Sequence, residues 1–262
     1  MSHAFSPMID LHCHILPGLD DGPDSVEMSL AMAESAIADG ITHVVGTPHS
    51  SNEYLFDFAN VRKLCDQLQE RVGDRLTLAT GCDFHLNPEN LNALREDAPP
   101  FCINQQDCLL VEFNEYSIPP SIDQTLHQLQ LAGLRPIITH PERNGILRTQ
   151  SDRLKRWVSL GCYIQVTANA LTGTFGPNAQ KDALRWIDEG IVHFVASDAH
   201  NTKSRPLKLR PAYDLVASQF GVEKAEALFH DNPLAAFEGR ELPHKPQVED
   251  HPSARKKRFL FF

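Results

Sequence analysis

The sequence predicts an α/β barrel formed by a single domain, on three observations. Apolar, β-branched runs alternate with helix-like stretches along the chain, the pattern of repeated βα units around a parallel sheet. A length of 262 residues suits one large domain and is a natural size for such a barrel. Histidines and acids recur at the ends of those runs, where parallel barrels gather their functional groups.

Seven runs read as strands, near 8–12, 42–47, 76–82, 108–113, 135–140, 162–167 and 192–197. The first leads through Leu11 into His12-Cys13-His14. A helix follows, with Asp24 as its expected cap, Glu27 at the capping-box position and Gly40 as its stop. Val26, Leu30, Ala33 and Ile37 form its expected apolar stripe. The second run ends Val44-Val45-Gly46-Thr47-Pro48-His49, and a second helix carries Val61, Leu64, Cys65, Leu68 and Val72 on one face. The third run leads to Asp83, the fourth to Glu112 and the fifth to His140. Further helices are expected near 120–132, 151–160, 178–189 and 206–219, and the last strand leads to Asp198-Ala199-His200.

The domain is expected to span 1–242, with 243–262 as a flexible tail. That tail is rich in proline and charge and ends Arg255-Lys256-Lys257-Arg258-Phe259-Leu260-Phe261-Phe262. Its alternative reading is a basic and aromatic anchor for a membrane surface or a partner protein.

Composition narrows the function classes. The hydrophobic fraction of 42% is ample for a core, yet no uninterrupted apolar run approaches a membrane span. Met1 to Pro7 lacks the basic and apolar regions of a signal peptide. A formal charge of -10 argues against a general affinity for nucleic acid or anionic membrane. The six cysteines show no CxxC pair, so reduced thiols in a cytoplasm are expected.

In a strand alternate side chains share a face, so His12 and His14 point together into a barrel mouth while Cys13 turns away. A lone histidine in an apolar strand is ordinarily a core residue, and His43 and His193 read that way. The H-x-H pair followed by Asp20-Asp21-Gly22 does not, because Asp198 and His200 repeat its two-residue spacing at the far end. Together the set points to a multinuclear metal site. Cys65 and Arg71 stand at the C-x5-R spacing of cysteine-dependent tyrosine phosphatases. The intervening residues are helix-forming and include two carboxylates, so no phosphate-cradling loop is expected and Cys65 reads as core.

The segments "IDLHCHILPGLDDGP", "TPH", "VEF", "THPERN" and "SDAHN" followed by Arg205 resemble those of the PHP (polymerase and histidinol phosphatase) superfamily. Within it, the chain looks like the bacterial manganese-dependent protein-tyrosine phosphatases of capsule and exopolysaccharide control, over roughly Met8 to Gly239. The resemblance implies a distorted (β/α)7 TIM-like barrel with three divalent ions, manganese first, with iron, zinc or cobalt as alternatives. Residue by residue, it implies His12, His14, Asp83 and Asp198 as ligands of one ion. Asp83, Glu112 and His140 would hold a second, and Asp21, His49 and His200 a third. Arg143 and Arg205 match phosphate-binding arginines, and with His49 they form the expected catalytic group. Four carboxylates against three divalent ions leave a charge of about +2, suited to a phosphomonoester of about −1.5 to −2.

The implied substrate is a phosphotyrosyl protein, a bacterial tyrosine kinase of polysaccharide export being the expected one. The alternatives are a small-molecule phosphomonoesterase such as a histidinol-phosphate phosphatase, or a non-catalytic metal-binding module of an export assembly. One departure stands out, because Asp83 occupies the position where the family has Glu. The expectation is that Asp83 still ligates through a backbone adjustment and that His85 is an ordinary loop histidine. The alternatives are that Asp83 binds one ion only, or that His85, two residues on and on the same strand face, lends its imidazole.

Overall fold

Nine strands, all paired in parallel, carry the fold in the computed structural model, which describes residues 7–114 and 116–245. They are β1 (Met8–Cys13), β2 (Ile41–Gly46), β3 (His49–Ser50), β4 (Thr77–Thr80) and β5 (Asp83–His85), then β6 (Cys108–Glu112), β7 (Arg135–Thr139), β8 (Tyr163–Thr167) and β9 (Phe194–Ala196). Two sheets are formed, β1-β2-β4 and β3-β5-β6-β7-β8-β9.

These nine pieces amount to seven barrel staves. β2 pairs β4 with His43 opposite Thr77, and β3 pairs β5 in the same register with His49 opposite Asp83. Between them the ladder is carried across Thr47-Pro48 by Gly81 N–H on Gly46 O (2.9 Å) and Asp83 N–H on Pro48 O (3.1 Å). Each pair is therefore one interrupted strand, which is why the run near 76–82 read as a single element. The barrel closes where Cys13 bridges Ala199, with Asp198 N–H on His12 O and His14 N–H on Ala199 O, both 2.9 Å. The result is a distorted seven-strand barrel, as the sequence led one to expect.

Inside the barrel Ile9, Leu11, Val45, Leu110, Ile137 and Phe194 form one apolar cluster, closed by Ala235, Ala236, Phe237 and Leu242. Those last residues come from short helices spanning 222–237 and the segment after them, which the sequence reading did not anticipate. A second cluster lies between strands and outer helices and includes both buried tryptophans, Trp157 and Trp186. With its base filled, the barrel leaves only the carboxyl ends of the strands as a place for chemistry.

The outer helices include α1 (Val26–Asp39), α2 (Phe58–Val72), α3 (Pro88–Glu96), α4 (Ile122–Leu131), α5 (Ser151–Ser159), α6 (Ala168–Leu171), α7 (Pro177–Asp188) and α8 (Arg210–Phe220). α1 corrects two expectations. Ser25 rather than Asp24 is its cap, accepting from Met28 N–H at 3.3 Å. Its buried face is Ser29, Met32, Ala33 and Ala36, so Leu30 and Ile37 are only half-buried. Small residues on that face let the helix axis approach the strands closely, and packing overrides the larger apolar side chains. Gly40 ends α1 in the left-handed region, φ 88°. α2 buries Val61, Cys65, Leu68 and Val72 of the predicted stripe, while Leu64 is only half-buried. α3 was not anticipated, although Asn87 caps it and Pro88 occupies its first turn.

The expected tail lies outside the described residues from 246 onward. Before that point, His244 N–H donates to Asn232 Oδ1 (3.1 Å), and Asn232 Nδ2–H donates to His244 O (2.8 Å).

Candidate metal centre

Each predicted ligand stands at the carboxyl end of a strand or in the loop that follows it. His12 and His14 come from the end of β1, His49 opens β3, Asp83 opens β5 and Glu112 closes β6. His140 follows β7, and Asp198 and His200 follow β9. Asp21 sits in the loop after β1, which folds back so tightly that a Cβ on Gly22 would lie 2.6 Å from His14 O. His140 and Asp198 hold positive φ values of 31° and 52°, backbone strain that clusters at functional sites and that the surrounding strands must maintain.

The structure brings these residues together as three adjoining clusters. His12, His14 and Asp83 form one, with His12 Nε2 3.5 Å from Asp83 and 3.4 Å from Asp198. His14 Nε2 lies 3.4 Å from the same Asp198 oxygen. In a second cluster Asp21 Oδ1 faces His49 Nε2 at 3.5 Å and His200 Nε2 at 3.3 Å. The third gathers His49, Asp83, Glu112 and a residue outside the predicted set, His85. His140 Nε2 approaches Glu112 from its other side, 3.5 Å from Oε1. His85 is the last residue of β5 rather than a loop histidine, and its Nε2 contacts Glu112 Oε2.

The chemistry of these donors fits divalent cations. Both Asp83 oxygens, Glu112 Oε2 and His200 Nε2 are buried without an aligned hydrogen bond. Buried carboxylate oxygens of that kind are costly unless a cation satisfies them. His140 is held neutral with a pKa down at about 4, by burial first and by the Arg143 charge second, so its lone pair is available. His200 is pushed down as well, by burial and by His14. Burial alone would raise the pKa values of Asp83 and Asp198, but the charge on His12, helped by His49 beside Asp83 and by His14 and Arg143 beside Asp198, outweighs it and keeps both ionised.

Neighbouring groups orient these ligands, as is usual around protein-bound metals. Asp20 was not singled out in the sequence, yet its Oδ2 lies 2.6 Å from His14 Nδ1. Asp20 also accepts from the backbone N–H of Gly22 (2.9 Å) and His49 (3.0 Å), tying the loop to β3. Gln165 Oε1 meets His12 Nδ1 at 3.0 Å. The doubled Asp20-Asp21 was the readable signal for the first; nothing local marks Gln165, which reaches the site from β8.

Both predicted arginines converge on the centre. Arg143 Nη1 and Arg205 Nη2 donate to the same oxygen, Asp198 Oδ2, and the Arg143 guanidinium lies 4.9 Å from the Phe175 ring centre. A groove of about 700 Å³ opens from the cluster itself and runs from Asp21, His49 and Glu112 past Tyr54 toward Asn114, Tyr116 and Ile122. The Tyr54 ring stacks on His49 with centroids 5.8 Å apart. Cys65, by contrast, is buried in α2 with its thiol pushed up to about 12 by burial. His193 is likewise a core residue, with its pKa held down at about 3 by burial.

Comparisons with known proteins agree with this geometry. Residues 8–238 match the family described as capsular polysaccharide synthesis, CpsB/CapC. Tyrosine-protein phosphatase YwqE of Bacillus subtilis is 34% identical over 259 residues, covering 97% of this chain and all of that one. A solved structure from work on YwqE of B. subtilis and CpsB of Streptococcus pneumoniae, described as unique metal-dependent tyrosine phosphatases, superposes with a TM-score of 0.84. It is 33% identical and covers 91% of this chain and 99% of the other. Histidinol phosphate phosphatase from Lactococcus lactis shares the fold alone, with a TM-score of 0.53 at 14% identity, covering 85% of this chain and 94% of that one.

Proposed function

This chain belongs to the CpsB/CapC family of capsular polysaccharide synthesis, and from that premise we propose that it is a metal-dependent phosphotyrosine-protein phosphatase whose centre takes three divalent ions. His12, His14, Asp83 and Asp198 would hold the first, and Asp83, Glu112 and His140 the second. Asp21, His49 and His200 would hold the third. Manganese is the first choice, with iron, zinc or cobalt also suited to histidine and carboxylate ligands. The observation that carries this reading is Asp83, which is fully buried between His12 and His49 with neither oxygen in an aligned hydrogen bond.

When bound, the ions supply an activated water near neutral pH and offset charge on the transferring phosphoryl group. The chain's own residues do the rest. Arg143 and Arg205 offer planar guanidinium groups at the edge of the cluster, suited to gripping two phosphate oxygens each. His49 joins two of the three clusters through opposite ring nitrogens, so it fixes their spacing and acts at the reacting centre. The groove of about 700 Å³ that runs on past Tyr54 offers room beyond a phosphotyrosine itself, which favours a protein substrate over a free metabolite. A tyrosine kinase of polysaccharide export is the substrate this family relationship suggests. No helix among the described residues is long and apolar enough to cross a membrane. All six cysteines are free and buried, which suits the reducing cytoplasm where such a kinase would present its phosphotyrosines.

Chelation should abolish turnover of a phosphotyrosyl peptide, and Mn²⁺ should restore it, with metal content measured in parallel. A panel including histidinol phosphate separates the readings: preferred turnover of that small ester would make the chain a metabolite phosphatase, and full activity after chelation would overturn the mechanism.

A further inference from the structure

Asp83 carries a carboxylate that falls short of a glutamate at the same place by one C–C bond, roughly 1.5 Å. Metal–ligand distances tolerate only about ±0.2 Å, so the lost reach must be made up from elsewhere. The register of the sheet shows where. β5 pairs β6 with His85 directly opposite Glu112, and Phe84 between the two site residues is fully buried in the outer core. Asp83 and His85 therefore share one face of β5, and that face is the barrel mouth.

We propose that His85 is a metal ligand of this chain, binding through Nε2 an ion shared with Glu112 and Asp83. This rests on the metal-dependent reading given above. His85 Nε2 contacts Glu112 Oε2, and Glu112 Oε2 is buried without an aligned hydrogen bond. Two lone-pair-bearing atoms brought together in that way suit a shared cation. The competing imidazole in this corner is His49, whose Nε2 faces Asp21 beside His200. If that nitrogen serves the third ion, the proton of a neutral His49 sits on Nδ1, which faces Asp83 Oδ2 at 3.1 Å and Glu112 Oε2 at 3.4 Å. His85 is then the imidazole here with a lone pair to give. The shorter acid and the added histidine make a matched pair: what Asp83 cannot reach, His85 supplies from two residues further along the strand.

The test uses full-length protein and Mn²⁺ or Zn²⁺ without substrate, so it stands whether or not phosphotyrosine proves to be the substrate. In a Mn²⁺ titration followed by electron paramagnetic resonance, His85→Asn should weaken one ion at least tenfold, leaving the others as in wild type. Wild-type affinity for every ion in His85→Asn would overturn the assignment, even if turnover fell. Should that substitution disturb folding, wild-type protein labelled with ¹⁵N-histidine answers alone. On Zn²⁺ loading the His85 Nε2 resonance should move to the position of a metal-bound imidazole nitrogen; a resonance that stays put would sink the proposal. Loss of peptide phosphatase activity with these metal readouts intact would count against the functional reading and not against this one.

Discussion

His14 Nδ1 lies 2.6 Å from Asp20 Oδ2, and both side chains are almost wholly buried. Burial alone would lower the pKa of His14, yet the carboxylates of Asp20 and Asp198 together outweigh it and lift the imidazole to about 9. The same contact sets the tautomer, placing a proton on Nδ1 and leaving Nε2 to face Asp198 and His12.

Replacing Asp20 with Asn should therefore loosen His14 without removing any ligand. Partners of this kind typically contribute about 10–100-fold to metal affinity or activity. The expected result is a weaker apparent Mn²⁺ affinity with activity recovered at saturating metal. Unchanged affinity would reduce Asp20 to a loop staple.

Arg143→Ala and Arg205→Ala should each lower kcat/KM by roughly a hundredfold, the scale of losing one preorganised donor to a developing anion. Both contact Asp198 rather than supplying a metal donor atom, so metal content should stay near wild type. Elemental analysis beside steady-state kinetics checks both halves. Loss of metal would instead assign them to holding Asp198.

The buried His193 makes folding sensitive to acid. Its Nδ1 accepts from Ile164 N–H at 3.1 Å, which requires the neutral ring, and burial holds its pKa down at about 3 against the usual 6.5. Because the unfolded chain binds the proton more readily, this contribution is complete above pH 6.5 and is lost as pH falls toward 3. From pH 7.5 to 5.5 the loss is about 1 kcal/mol. His193→Asn, which keeps an acceptor, should melt at a lower temperature at pH 7.5 but lose less on acidification. Equal losses in both proteins would show that other groups set the acid limit.

Cys65→Ser should leave turnover of a phosphotyrosyl peptide within about twofold of wild type, since the thiol is buried in α2 and pushed up to about 12 by burial. Iodoacetamide treatment of native protein should be equally harmless. An inactive but folded, fully metallated Cys65→Ser protein would revive the cysteine mechanism.

Truncation after Pro243 should destabilise the fold more than truncation after Lys245, by about 1–3 kcal/mol. The shorter form loses His244, whose backbone satisfies the buried amide of Asn232 on two sides. Urea melts of the two forms check this, with peptide turnover expected to be equal in both.

Much of the fold was legible in the sequence, because alternating apolar runs and amphipathic stretches are local signals that seven repeats reinforce. α2 shows this best: four of the five residues of its stripe, Val61, Cys65, Leu68 and Val72, make its observed buried face, and Leu64 lies half-buried beside them. α1 shows the limit. Its seat against the barrel is decided by how closely backbones approach, so Ser29, Ala33 and Ala36 face inward although Leu30 and Ile37 are larger. The nine predicted ligands could be named because the family resemblance implies them, and each also ends or follows a strand-like run, whose ends parallel barrels bring to one mouth.

What the chain could not reveal by itself is how β1 serves core and site at once. Strict alternation would put Leu11 and His12 on opposite faces, yet Leu11 packs in the barrel interior while His12 meets Asp83 and Asp198 at its mouth. The ladder resolves this with a bulge: from Asp10 to Cys13 is three steps on β1, against two from Val44 to Gly46 on β2. Likewise the doubled Asp20-Asp21 and the two-residue spacing of His85 from Asp83 were visible in the sequence, but the role of neither was. Asp20 acquires it from a loop folded back over His14, and His85 from the residue that sheet register sets opposite it, Glu112. Residue type and spacing are written along the chain, but register, bulges and loop closure arise only when distant strands pair.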